Sequence, residues 1–168
     1  MDAAELRALQ APIKQRYRDD PATARVLARA EASLDPAAIA CTVPGWAGAT
    51  VAGLHPAGGG DGSQACSADM LLEALVACAG VTLRAVATAM GIALRGGRVI
   101  AEGQWDARGT LGVDRAAPVG LTDIALRFEL DTDAPADKQA RLIETAERYC
   151  VILQTLKAPP LVRVAGLA

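Results

Sequence analysis

Two cysteines set the chemical question. Cys78 lies in the middle of a long apolar run, and Cys150 lies near the end of a second helical pattern far downstream. Residues four and seven apart share a helix face. Cys78 then shares its face with Leu71, Ala74, Leu75, Thr82 and Ala85, and Cys150 with Ile143, Ala146 and Leu153. Both thiols fall on apolar faces, so the two helices could pack sulfur toward sulfur. Such a pair could cycle between two thiols and a disulfide. Buried free cysteine also serves simply as a small hydrophobe, and spacing alone leaves both readings open.

The remaining chemistry-bearing residues offer less. Cys66 precedes the apolar run, where the positive end of a helix lowers a thiol pKa. It is a poor disulfide partner for Cys78: at 1.5 Å per residue the two would lie about 16 Å apart along one helix, and a disulfide needs Cα atoms within about 7 Å. Cys66 is therefore expected as an accessory or sensor thiol, and Cys41 as a strand residue of the core. His55 is the single histidine, which leaves little material for a histidine metal site or a Ser-His-Asp triad. Neither a metal nor a cofactor is expected. The loop from His55 to Ser63 is rich in glycine but lacks the Lys-Ser/Thr of a phosphate loop and the dinucleotide spacing. Glu73 and Arg84 lie on a different face of the run from Cys78 and are expected to serve neighbouring elements.

The elements that must position the thiols follow from patterning. Ala68 to Leu94 is apolar on nearly every face. A helix of that kind has to be buried on all sides, so it is expected at the centre of the fold. Ser67 is the candidate N-cap, and Asp69 in the first turn complements the helix dipole. Upstream, Ala3 to Tyr17 holds a helical stripe of Leu6, Leu9 and Ile13, interrupted by Pro12, and Asp20-Pro21 opens a short helix or turn. Two or three antiparallel strands are expected between Val26 and Leu54, with turns at Asp35-Pro36 and Pro44-Gly45. Downstream, Arg98 to Gly109 and Leu121 to Leu130 alternate as strands. Pro135 starts a helix whose buried stripe is Leu142, Ile143, Ala146, Tyr149, Cys150 and Leu153. Pro159-Pro160 stops it, and Leu161 to Val164 is expected as an edge strand.

Composition bounds the rest. The chain has 168 residues, enough for one domain with a true core or one protomer of a compact dimer. It is 52% hydrophobic and only 3% aromatic, so Leu, Val, Ile and Ala must fill that core. A net charge of −2 without a Lys/Arg cluster gives no electrostatic case for nucleic acid. The first residues show no basic region followed by an apolar one, and Glu73 and Arg84 weigh against a membrane span. The expected location is the cytoplasm, where four cysteines rest reduced and a pair that forms a disulfide is catalytic or redox-sensing.

The run SADMLLEALVACAGVTLRAVATAMGIAL, two strands and then LIETAERYCVILQTL together resemble the osmotically induced and organic hydroperoxide resistance (OsmC/Ohr) family. The resemblance covers roughly residues 58 to 156. Ala68 stands where the family has a proline after the helix-start serine, and Val151 stands where it has a proline after the second cysteine. The resemblance implies an α+β, two-layer fold with antiparallel strands packed around two central helices. It implies one such domain over residues 1–168, with residues 1–25 as a helical N-terminal extension, and an intertwined homodimer. It further implies a thiol peroxidase for organic hydroperoxides, with Cys78 attacking and Cys150 resolving, and an external dithiol as reductant. Family peroxidases steady the thiolate with an arginine from the N-terminal strands; Arg25 and Arg29 are the candidates here. Asp69 is a loose match to the family's acidic residue. The alternative from another class is the same fold kept as a non-catalytic redox sensor or a binder of a small apolar ligand.

Overall fold

The computed structural model describes residues 1–166 and is a mixed α+β architecture. Its helices are α1 (Ala3–Asp19), α2 (Ser67–Ala89), α3 (Ala107–Thr110), α4 (Ala136–Tyr149) and α5 (Val151–Lys157). Its strands are β1 (Ser33–Leu34), β2 (Ala40–Gly45), β3 (Gly48–Gly53), β4 (Gly96–Gln104) and β5 (Thr122–Asp131). The strands form two sheets, one ordered β1-β2-β3 and one pairing β4 with β5. The chain divides into two compact units, one of residues 1–8, 74–100 and 127–166, the other of residues 9–73 and 101–126.

The first unit holds the main core. Leu75, Ala79, Leu83 and Ala87 recur every four residues and form the buried stripe of α2. Leu83 and Ala87 cluster with Leu142 and Ala146 of α4, and Val86, Ile92, Leu94, Phe128, Leu130 and Ile143 close around them. Alanines at the contact let the helix backbones approach, and the leucines supply the apolar area; fully burying one leucine contributes about 1.5–3 kcal/mol. α2 stops at Gly91, whose φ of +67° suits glycine. Gly91 N–H bonds the Thr88 carbonyl at 3.1 Å and Ile92 N–H bonds the Ala87 carbonyl at 2.9 Å, a Schellman close. Arg84 donates to the Leu94 carbonyl at 2.7 Å and ties the helix to the chain leaving it. β4 and β5 run antiparallel: Arg95 N–H bonds the Asp131 carbonyl and Arg98 pairs with Glu129. Gly97 is required there, since its φ is +146° and a Cβ would meet the Glu129 carbonyl oxygen at 2.4 Å.

The second unit holds the antiparallel β1-β2-β3 sheet, as alternation predicted. The β2–β3 register runs from Ala40↔Gly53 to Gly45↔Gly48. The turn therefore falls at Trp46 and Ala47, not at Pro44-Gly45. The reason is Gly48, whose φ of +129° lets the chain reverse one step later. Pro44 stays inside β2, opposite Ala49. Ala65 continues this sheet as a bridge to Ala52, with Gly53 N–H donating to the Ala65 carbonyl at 3.0 Å.

Several expectations need correction. α2 is not buried on all sides: Val81 is 73% exposed and Leu71 is 39% exposed. Its apolar character exceeds what this one chain covers. Ser67 is the first helical residue, so Cys66 holds the N-cap position, its carbonyl accepting Met70 N–H at 2.9 Å. The helix from Pro135 is not continuous; it breaks at Cys150 and restarts as α5. Tyr149 does not join the buried stripe and is 61% exposed. No strand forms at Leu161 to Val164; both residues are exposed and outside any regular element. Pro12 sits within α1 without ending it, and α1 buries none of its residues.

Candidate thiol site

The site is assembled by a change of backbone direction. α4 ends at Tyr149, Cys150 takes an extended conformation (φ −76°, ψ 106°), and α5 starts at Val151. The first three N–H groups of a helix have no acceptor within it. In α5 the first internal bond is Gln154 N–H to the Cys150 carbonyl at 2.9 Å, so Val151, Ile152 and Leu153 keep their N–H groups for other acceptors. Both sulfurs lie beside these donors. Cys150 is fully buried and Cys78 half-buried, and each is a free thiol.

The two thiols are pushed in opposite directions. Burial disfavours the Cys78 thiolate, but the Ile152 amide, the Cys150 thiol, the Val151 amide and the Thr82 hydroxyl together outweigh it and hold this thiol below the ordinary cysteine value. Cys150 is pushed up, first by burial and then by the neighbouring Cys78, with the Leu153 and Ile152 amides working the other way. The Cys150 side chain closes no capping bond of ordinary geometry. The amides thus act on the sulfurs as close dipoles, not as short bonds. The arrangement has a clear sense: its donors favour the thiolate at Cys78, and burial favours the neutral thiol at Cys150.

The structure thus brings Cys78 and Cys150 together, and it places the other candidates in the second unit. Arg29 is exposed and bonds Glu31 at 2.7 Å. Arg25 closes the 3-10 turn Pro21–Ala24 and is exposed. None of the leading influences on Cys78 is a cation. Asp69 lies exposed in the first turn of α2. Cys66 lines a cavity of about 360 Å³ together with His55 and Trp105. His55 is a turn residue as expected: its Nδ1 accepts Ala57 N–H at 3.0 Å, and its ring meets Trp105 edge-on at 5.3 Å. Cys41 lies in β2 opposite Ala52 and is half-buried. Among the described residues no group of His, Cys, Asp and Glu has the spacing of a metal site.

Sequence reasoning missed the backbone donors of Val151 and Ile152. Amide groups leave no residue-type signal, and the sole trace is the break at Cys150, which no proline or glycine marks.

No curated protein sequence matches the chain significantly. Solved structures similar to it include an OsmC-like protein from Mycoplasma pneumoniae (TM-score 0.66, 19% identity, covering 80% of this chain and 89% of that one). An organic hydroperoxide resistance protein OsmC from Legionella pneumophila is similar at TM-score 0.61 and 17% identity, covering 80% and 93%. The organic hydroperoxide resistance protein OhrB of Bacillus subtilis is similar at TM-score 0.51 and 16% identity, covering 80% and 94%. At these identities the likeness establishes the fold. The family model described as OsmC-like protein matches residues 60–165, a span that includes both Cys78 and Cys150, and the chain belongs to that family.

Proposed function

We propose that the protein is a thiol peroxidase that reduces organic hydroperoxides through Cys78 and Cys150. The observation that carries this reading is the placement of the two thiols beside one another at the start of α5, Cys150 buried and Cys78 half-buried, next to helix-start amides that have no acceptor within the helix. The Cys78 thiolate attacks the terminal oxygen of the hydroperoxide. The S–O bond forms, the O–O bond breaks, and the alkoxide leaves as the alcohol after taking a proton. Cys78 is then a sulfenic acid. Cys150 attacks the sulfenic sulfur, the disulfide forms, and the S–OH oxygen leaves as water. An external dithiol reopens the bond by exchange and returns both thiols.

The protein's contribution is neutral. Amides and a hydroxyl stabilise the thiolate where a cation is the commoner device. The apolar surroundings of the pair favour an organic peroxide over hydrogen peroxide. The uncovered apolar face of α2 is consistent with a homodimer, and we place the protein in the cytoplasm, where a dithiol reductant is available.

The test is consumption of an alkyl hydroperoxide in the presence of a dithiol, comparing wild type with Cys78→Ser. Loss of activity in the variant is expected. Equal rates would remove the enzyme reading and leave a redox-sensing or apolar-ligand-binding role.

A further inference from the structure

The glycine loop from His55 to Ser63 borders a cavity that the proposed reaction does not use. The cavity measures about 360 Å³, inside the range of about 300–1,000 Å³ for small-molecule sites, and it lies wholly within the second unit. Leu54, Val119 and Leu121 give it apolar walls, and His55, Cys66 and Trp105 stand with them. Close backbone approaches hold these walls in place. A Cβ on Gly60 would collide with the Leu54 carbonyl, and one on Gly109 would come within 2.7 Å of the Ala117 and Pro118 carbonyl oxygens. Within the loop, the Gly58 and Gly60 N–H groups both bond the His55 carbonyl, at 2.7 and 3.1 Å. Gly58 and Gly120 also line the cavity, and a Cβ on either would meet no atom within 4 Å. The segments are packed against one another, and the space they border is left open.

The rings on this wall decide what would fill it. Trp105 and His55 meet at 85° with centroids 5.3 Å apart. A third flat ring stacked on either one presents its edge to the other, and aromatic rings favour both arrangements. A saturated molecule of the same size gains the apolar burial and neither ring contact. His55 Nδ1 accepts Ala57 N–H at 3.0 Å, so the neutral ring carries its proton on Nε2, a donor with no acceptor among the described residues. We propose that this cavity binds a small flat aromatic molecule of one or two fused rings, held on Trp105 and His55, with the Nε2–H available to an oxygen substituent. The inference does not rest on the peroxidase reading, since neither Cys78 nor Cys150 lines the cavity.

The experiment is calorimetric titration of the full chain with 2-naphthol and with its saturated analogue, decahydro-2-naphthol. 2-Naphthol is expected to bind saturably, and the saturated analogue about three- to tenfold more weakly. Trp105→Leu keeps an apolar wall and removes the ring; it is expected to weaken 2-naphthol binding about tenfold and to narrow the gap between the two probes. Absence of saturable 2-naphthol binding would overturn the proposal. So would equal affinities for the two probes in wild type, or a Trp105→Leu variant that binds 2-naphthol as tightly as wild type. Should Trp105→Leu fail to fold, iodoacetamide alkylation of the wild-type chain, read peptide by peptide by mass spectrometry, carries the test. Saturating 2-naphthol is expected to slow alkylation of Cys66, on the cavity wall, and to leave that of Cys41, in β2, unchanged. Equal slowing at both thiols, or none at Cys66, would contradict the proposal. Both readouts are blind to peroxide, so their outcome is separate from that of the peroxidase assay.

Discussion

Cys150 and Cys66 occupy the same local position in different surroundings. Each is the residue before the first turn of a helix, and each gives its carbonyl to the N–H four residues on, at 2.9 Å in both cases. Cys150 is fully buried and faces a second sulfur. Cys66 is half-exposed and shares the wall of its cavity with an imidazole and an indole. Position at a helix start is therefore not what distinguishes the Cys78–Cys150 pair. What distinguishes it is a partner thiol in a dry place, with donors that favour one thiolate over the other.

Substitutions at the two positions separate these causes. The largest effect is expected from Cys78→Ser, which removes the nucleophile and should lower peroxide reduction on the order of a thousandfold or more. Cys66→Ser in the same assay should leave the rate unchanged. Cys150→Ser removes the resolving sulfur. A stoichiometric turnover should still occur, with a sulfenic acid accumulating at Cys78 that a dimedone probe labels, while steady turnover with dithiol falls.

Leu142→Ala attacks the packing beside the pair. Leu142 is fully buried in the main core, and the change should cost about 2–5 kcal/mol in denaturant unfolding. Val151→Pro deletes one amide donor at a helix position that tolerates proline. The Cys78 thiol should then titrate at higher pH, so the rising limb of the rate profile moves toward alkali. Val151→Ala should leave it in place. The smallest effect belongs to Arg29→Ala: Arg29 is exposed and paired with Glu31, and an exposed pair of this kind contributes little. Peroxide reduction should be unaltered.

Much of this contrast could be read in the chain before any coordinates. Period-two alternation gave the β2–β3 hairpin and β5, and the apolar run gave α2. The face of Cys78 followed from helical spacing; that of Cys150 did not, since the chain is extended there. Three features were hidden for physical reasons. The break at Cys150 lies in a stretch, ERYCVILQ, whose residues are compatible with a continuous helix. The true turn at Trp46-Ala47 depends on a left-handed φ at Gly48, and Pro44-Gly45 was the stronger local signal. The exposure of Val81 cannot be seen in hydropathy, which reports what a helix could bury and not what one chain covers. The arginine implied by the family resemblance has no counterpart among the leading influences on Cys78, whose donors are backbone and hydroxyl.

The most direct test is to treat the reduced protein with a stoichiometric amount of an alkyl hydroperoxide, without reductant, and to map its disulfides by mass spectrometry. A single linkage between Cys78 and Cys150, with Cys41 and Cys66 still free, is the predicted result. A linkage through Cys66, or a Cys78 that stays reduced while the peroxide persists, would contradict it.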